Sequence, residues 1–262
     1  MEDLAAAGGP DRLHYLYGFL RSAAALPPLD GIEPGGRVFT IGCGGVSCAV
    51  SLVPAAEYRQ AGLARGEDWL APRALRHHGI LSALHEHATV LPLRFGALCD
   101  READVRALVA ERRDALVDGL RTFDGRDEWT LRTSLDEVAI DDRLERESPA
   151  LSACRAREAD LPEGRAYFAR RQRARQAAAL AADASAAVED AILDRLALAG
   201  VPIVRGRRAT ARGVADAALL VARRRRPALK AALAALEAEH AWCGLRFALV
   251  GPWPPYSFAP AL

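Results

Sequence analysis

His77, His78, His85 and His87 crowd one short stretch, and neutral imidazole is a common metal ligand, so a metal centre is the first chemistry to test. On a helix His78 and His85 would share a face. They would still stand about 10 Å apart along the axis at 1.5 Å per residue, too far to hold one ion. His85-Glu-His87 also lacks the i, i+4 spacing of a zinc-protease helix. The pattern predicts a half-buried His78 beside Leu81, hydrogen-bonded to a neighbour. Gly42-Cys-Gly-Gly45 could cradle a phosphate, but a phosphate loop joins a strand to a helix N-terminus, and these glycines lead into a second strand. A hairpin turn is expected instead. Ser and Cys occur without a nucleophile context. The carboxylate pairs Asp136-Glu137 and Asp141-Asp142 fall at loop or helix-start positions, where solvation and the helix dipole account for them. No catalytic, cofactor-binding or metal-binding residue is assigned, and a non-enzymatic protein is expected.

Two stretches suit binding better than bond-making. Arg205, Arg207, Arg208, Arg212 and Arg223 to Arg226 are opposed within their own stretch only by Asp216, and they suggest either a solvated pair of loops or a site for an acidic partner or RNA. RNA is the weaker reading, because the neighbouring strand Val214 to Val221 has no aromatic on which a base could stack. The second stretch is Val250-Gly-Pro-Trp-Pro-Pro-Tyr-Ser-Phe258. Its prolines prevent a central strand or helix, and Trp253, Tyr256 and Phe258 are too apolar to sit idle on a tail. It reads equally as an aromatic clamp on its own domain and as a partner-docking segment.

These residues must be carried by a folded chain of 262 residues, long enough for one large domain or two small ones. Hydrophobic residues make up 51% and charged residues 26%, a balance that excludes wholesale disorder. Thirty-five basic residues against thirty-four acidic ones leave a formal charge of +1, so no overall field steers the protein to nucleic acid or an anionic membrane. Met1 to Pro10 has no apolar run, which reads against a secretory signal. Charged residues break the Ala-rich stretch from Gln176 to Leu198 before it could span a bilayer. Five cysteines at scattered spacings point to reduced thiols and, with the rest, to the cytoplasm.

Leu13 to Leu20 is apolar on both faces and predicts a central strand. Arg37 to Ile41 and Val46 to Val53 form the hairpin, Trp69 to His87 a helix with Leu81 and Leu84 inward, Thr89 to Phe95 a strand, and Arg101 to Arg121 an amphipathic helix. The Asp-Gly turn in Phe123-Asp-Gly-Arg-Asp127 marks the boundary between an α+β domain, 1–122, and a second domain, 123–262, that includes the aromatic tail. Strands at Glu128 to Leu135, Val201 to Val204, Val214 to Val221 and Leu245 to Val250, with helices around Gly164 to Ala199 and from Pro227, spell β-α-β-β-α-β. This order predicts a ferredoxin-like second domain.

Gly251-Pro-Trp-Pro-Pro-Tyr-Ser-Phe258 resembles the C-terminal motif of the gas vesicle protein F/L family (GvpF/GvpL). Tyr15-Leu-Tyr-Gly-Phe19 resembles that family's opening strand, and His78 with Val90-Leu-Pro-Leu-Arg-Phe-Gly96 its helix-to-strand block, so the likeness runs from about Leu13 to Phe258. The chain departs from the family at Ala209 to Ala222, where members typically carry an Asn-containing strand with an aromatic and this one reads Gly213-Val-Ala-Asp-Ala-Ala-Leu-Leu-Val221. The resemblance implies two α+β domains, the second a modified ferredoxin fold. It also implies a non-enzymatic accessory or minor structural component of gas vesicles, associated with the hydrophobic major shell protein and other accessory proteins, and for some members located on the gas-facing side of the shell. Trp253, Pro254, Tyr256, Phe258, Arg94, Phe95, Arg223 and Arg224 become the partner-binding candidates. No cofactor and no membrane are implied; the rival readings are a ferredoxin-like enzyme working in a cleft and an RNA- or polyanion-binding protein using the Arg-rich loops.

Overall fold

A computed structural model describes residues 11–59, 66–208 and 215–259; the readings made on Met1 to Pro10, Arg212 and Val214 lie outside the described residues. The chain divides into two compact units, Met1–Glu128 with Pro252–Leu262, and Trp129–Gly251. Both mix helix and sheet.

The first unit is organised around β1 (Arg12–Arg21), whose Leu13 to Leu20 are all buried. Burial on both faces is what its uninterrupted apolar and aromatic run requires. β2 (Phe39–Cys43) and β3 (Val46–Pro54) form the predicted hairpin. Gly44 and Gly45 turn it at φ +59° and +89°, the left-handed pair that a two-residue hairpin turn needs and that side chains resist. β3 pairs antiparallel with β1, and on the other edge of β1 lie the short strands β4 (Leu91–Pro92) and β5 (Leu98–Cys99). A single strand from Thr89 to Phe95 is therefore replaced by two short pairings. Gly18 allows the first of them, since a Cβ there would meet the Leu91 carbonyl oxygen at 2.5 Å.

Beyond β3 comes α1 (Ala55–Arg59), followed by α2 (Glu67–His87), which buries His77, Ile80, Leu81 and Leu84. These pack with Leu13, Tyr15, Tyr17 and Leu20 of β1 and Tyr58 of α1. The predicted helix from Arg101 to Arg121 is two helices, α3 (Glu102–Glu111) and α4 (Arg113–Thr122). The break is at Arg112, whose backbone (φ −103°, ψ 8°) leaves the helical region. Val105, Val109, Leu116 and Leu120 are nonetheless buried as the periodicity predicts.

The second unit continues from β6 (Arg126–Ser134) and holds α5 (Glu137–Glu147), α6 (Pro149–Ala159) and α7 (Glu163–Leu198) before β7 (Ile203–Arg208) and β8 (Ala215–Ala222). α8 (Arg226–Glu239) and β9 (Arg246–Trp253) complete it. The strand order is β7-β8-β6-β9. α5 and α6 are additions to the expected pattern, and each has a cap. The Asp136 carboxylate accepts the Val138 and Ala139 N–H groups at 2.9 and 3.1 Å, while Ser148 caps α6 ahead of Pro149. The Asp136-Glu137 pair is thus a helix start, as its position suggested. Trp129 and Leu131 of β6 pack with Val188, Ile192 and Leu196 of α7 and Leu229, Leu233 and Leu236 of α8. Burying each leucine stabilises the unit by about 1.5–3 kcal/mol.

Candidate functional site

Tyr15 and Tyr17, two apart on β1, point to one face of the sheet, and α2 lays His77 between them. The His77 ring stacks on Tyr17 at 5.7 Å and meets Tyr15 and Phe95 edge-on. Its Nε2 lies 3.3 Å from the Leu93 carbonyl and its Nδ1 3.0 Å from the Tyr15 hydroxyl. A carbonyl only accepts, so Nε2 carries the proton and Nδ1 accepts from Tyr15 O–H. Tyr15 in turn accepts the Gly96 N–H at 3.0 Å. Burial holds the His77 pKa down at about 4, which keeps this relay neutral. Tyr17 shares a 2.7 Å hydrogen bond with Ser51 and accepts the Ile32 N–H at 2.8 Å, while burial pushes its phenol up to about 12.

His78, the next residue on α2, is half-buried and receives the C-terminal tail. Trp253 tilts against its ring at 5.2 Å and Tyr256 at 5.8 Å, and the Tyr256 hydroxyl lies 3.0 Å from His78 Nδ1. Pro254 and Pro255 are buried, and the Pro254 and Pro255 carbonyls accept backbone N–H groups from Tyr256, Phe258 and Ala259. The tail closes on Glu128, which accepts the Ser257 N–H at 2.7 Å on one oxygen and the Ser257 hydroxyl at 2.8 Å on the other. Burial raises the Glu128 pKa and the two Ser257 hydrogen bonds oppose it. Nearby, Glu33 accepts from Tyr58 at 2.6 Å and pairs with Arg73 at 2.7 Å, whose guanidinium lies 4.2 Å above the Trp69 ring.

The tail, grouped with the second domain in the sequence reading, therefore makes these contacts within the first unit. Trp253, Tyr256 and Phe258 are all half-buried, Phe95 packs on the same core, and Arg94 is exposed. The histidines are not a cluster: besides His77 and His78, His85 meets Asp127 at 3.0 Å and His87 its own helix at the Ala83 carbonyl. Among the described residues no group of three or more His, Cys, Asp or Glu could hold a metal ion. Glu128 and Ser257 were not anticipated, since nothing in the spacing of two polar residues so far apart announces a pair.

Among the described side chains of the Arg-rich stretch, Arg205 and Arg226 have partners of their own. Arg205 pairs with Asp190 and Asp194 of α7, and Arg226 lies 4.4 Å above the Trp129 ring. Asp216, expected to oppose this stretch, pairs with Arg132 at 3.1 Å. Arg223 and Arg224 are exposed on a 3-10 turn.

The relay and the His78 contact draw on three separated stretches, Tyr15 to Phe19, His77 to Gly96 and Gly251 to Phe258, and Glu128 completes the tail clasp. Residues 13–260 match the family model described as gas vesicle synthesis protein GvpL/GvpF. The chain belongs to the GvpL/GvpF family. It is 34% identical over 270 aligned positions to gas vesicle protein L of Streptomyces sp. (strain CB03234), covering 95% of this chain and 93% of that one. With gas vesicle protein F of the same strain it shares 30% identity over 256 positions, covering 93% and 98%. The fold resembles the crystal structure of GvpF from Anabaena sp. PCC7120 with a TM-score of 0.74 at 18% identity, covering 96% of this chain and 99% of that one. The GvpF structure from Microcystis aeruginosa gives 0.62 at 18% identity, covering 95% and 99%. Membership of the GvpL/GvpF family ties the protein to gas vesicles. No helix among the described residues is long and apolar enough to cross a membrane.

Proposed function

We propose that this GvpL/GvpF member is a non-enzymatic accessory or minor structural component of gas vesicle assembly that binds the hydrophobic major shell protein and other accessory proteins. The observation that carries the reading is the family match along nearly the whole chain, reinforced by the two Streptomyces relatives named as gas vesicle proteins L and F. The site's chemistry agrees with it. The hydroxyls of Tyr15 and Tyr17 and both nitrogens of His77 are spent on internal partners, as suits a rigid mount better than a proton-transfer centre.

A shell subunit apolar enough to exclude water from a gas space must be kept from aggregating before it joins the wall. A rigidly held tail can do this: Pro254 is buried, Tyr256 is fixed by His78, and the free edges of Trp253 and Phe258 remain for apolar contact. Phe95 braces the mount, and Arg94, with Arg223 and Arg224 on the second unit, supplies charge. The strand order β7-β8-β6-β9 and the β-α-β-β-α-β sequence support a ferredoxin-like second unit enlarged by α5 and α6. On this reading the protein meets shell subunits in the cytoplasm before they join the wall, and its place at the vesicle is the gas-facing side that the resemblance implies for some members. Deleting its gene in a vesicle-forming host and counting vesicles by electron microscopy tests the reading. Loss of vesicles, restored by the wild-type gene, is expected; normal vesicle numbers would overturn it.

A further inference from the structure

The first half of α7 carries Arg165, Arg170, Arg171, Arg173 and Arg175 around Tyr167 and Phe168. The structure sorts this run into two kinds of residue. Arg173 faces the packed side, held by Glu145 of α5 at 2.7 Å and Glu158 of α6 at 2.9 Å. Among the described residues, Arg165, Arg170, Arg171 and Arg175 make no ion pair, and all four are exposed. Tyr167 and Phe168 are exposed too, at 55% and 71%, and their rings meet edge-on at 5.6 Å. Phe168, Arg171, Arg175 and Ala179 recur at i, i+3, i+7 and i+11, which sets them on one helix face over about 17 Å. The packed face, marked by Ala166, Arg173 and Ala181, lies opposite.

An apolar anchor followed along one line by unpaired guanidinium groups, ending in small alanines that admit close approach, has the anatomy of a helix-docking strip. We infer that the N-terminal half of α7 is a docking face for an acidic amphipathic helix of another protein. The charge argues for that occupant. A second copy laid on the strip would bring arginine against arginine, a juxtaposition that costs free energy, whereas glutamates flanking a leucine row would match both halves of the pattern. A nucleic acid fits less well, because the two rings are set edge to face and give no parallel platforms for bases. The inference uses residues of the second unit alone and does not depend on the tail or on shell-protein binding.

The test is fluorescence anisotropy on the full chain with three labelled probes: a Leu/Glu amphipathic helix of about 20 residues, the same peptide with Lys for Glu, and oligouridine RNA of similar length. The acidic peptide should bind, and the basic one should not. Arg171→Glu with Arg175→Glu should weaken binding at least tenfold and Phe168→Ser severalfold, with unchanged melting temperatures. Arg12→Gln with Arg37→Gln, exposed on the first unit, should leave binding as it was. Should the charge reversal disturb folding, Arg171→Gln with Arg175→Gln replaces it, with the loss of binding still required. Absence of acidic-peptide binding, binding indifferent to these residues, equal binding of the basic peptide, or tighter binding of RNA through the same arginines would overturn the inference.

Discussion

Ser257 donates its backbone N–H and its hydroxyl to the two oxygens of the Glu128 carboxylate, at 2.7 and 2.8 Å. Two residues 129 positions apart in the chain thereby fasten the C-terminal tail to the end of the first unit. Ser257→Ala keeps the backbone bond and removes a charge-assisted one, and should cost about 1–3 kcal/mol in urea-denaturation stability. Glu128→Ala should cost more, since both donors lose their partner.

Glu128 also carries a pH signature. Its pKa is raised in the fold above the ordinary 4.5, so the folded state holds its proton longer than the unfolded one. Its contribution to stability is therefore greatest below pH 4.5 and declines as pH rises through the folded value. Glu128→Gln should abolish that decline, measured as unfolding free energy against pH; an unchanged slope would mean that the carboxyl is not buried as described.

His77 acts with the opposite sign. Its pKa falls from 6.5 to about 4 on folding, so the unfolded chain binds the extra proton between those values. Stability should fall as pH drops from 6.5 towards 4, by about 3 kcal/mol in all. His77→Gln should lower stability at pH 7 through loss of the stacked ring, yet remove this part of the acid sensitivity.

Much of the scaffold beneath these contacts was legible in the sequence. Leu13 to Leu20 announced a central strand by being apolar at every position, Gly44 and Gly45 announced a hairpin, and Leu81 and Leu84 marked the inner face of α2. The structure departs from the sequence pattern where that pattern is locally ambiguous. Arg112 interrupts a periodicity that continues on both sides of it, so α3 and α4 looked like one helix. Leu91–Pro92 and Leu98–Cys99 are too short to alternate. α5 and α6 are polar enough to pass for loop, although Asp136 and the Ser148-Pro149 pair are helix-start signals. His78, Trp253 and Tyr256 can be singled out individually and Glu128 and Ser257 cannot, and the meeting of the site's residues is not legible: His78 and Tyr256 are 178 positions apart, and no periodicity encodes a contact between a helix and a proline-rigid tail.

Trp253 and Tyr256 should separate by their effects. Tyr256→Phe removes one buried hydroxyl contact and should cost roughly 1 kcal/mol. Trp253→Ala removes a half-buried ring and should cost about 2 kcal/mol, short of the 3–5 kcal/mol of a fully buried aromatic. Calorimetry on both variants checks this. A larger loss for Trp253→Ala would make the ring chiefly structural.

In the Arg-rich turn, Arg223→Gln with Arg224→Gln should leave the melting temperature nearly unchanged, as exposed charges contribute about 0–1 kcal/mol. Arg226→Gln should be measurably less stable, because it gives up the contact with Trp129, worth about 0.5–1 kcal/mol. Thermal melts of the two variants side by side distinguish a binding charge from a packing one.

The most direct measurement is co-purification. The full chain, affinity-tagged and expressed in cells that are forming vesicles, would be isolated under native conditions and its companions identified by mass spectrometry. The account predicts that the major shell protein and other vesicle proteins are enriched over an unrelated tagged control, and that enrichment of the shell protein drops when Trp253→Ala and Arg94→Gln are combined in a chain that still folds. Recovery of the folded protein with no vesicle protein above the control would contradict it.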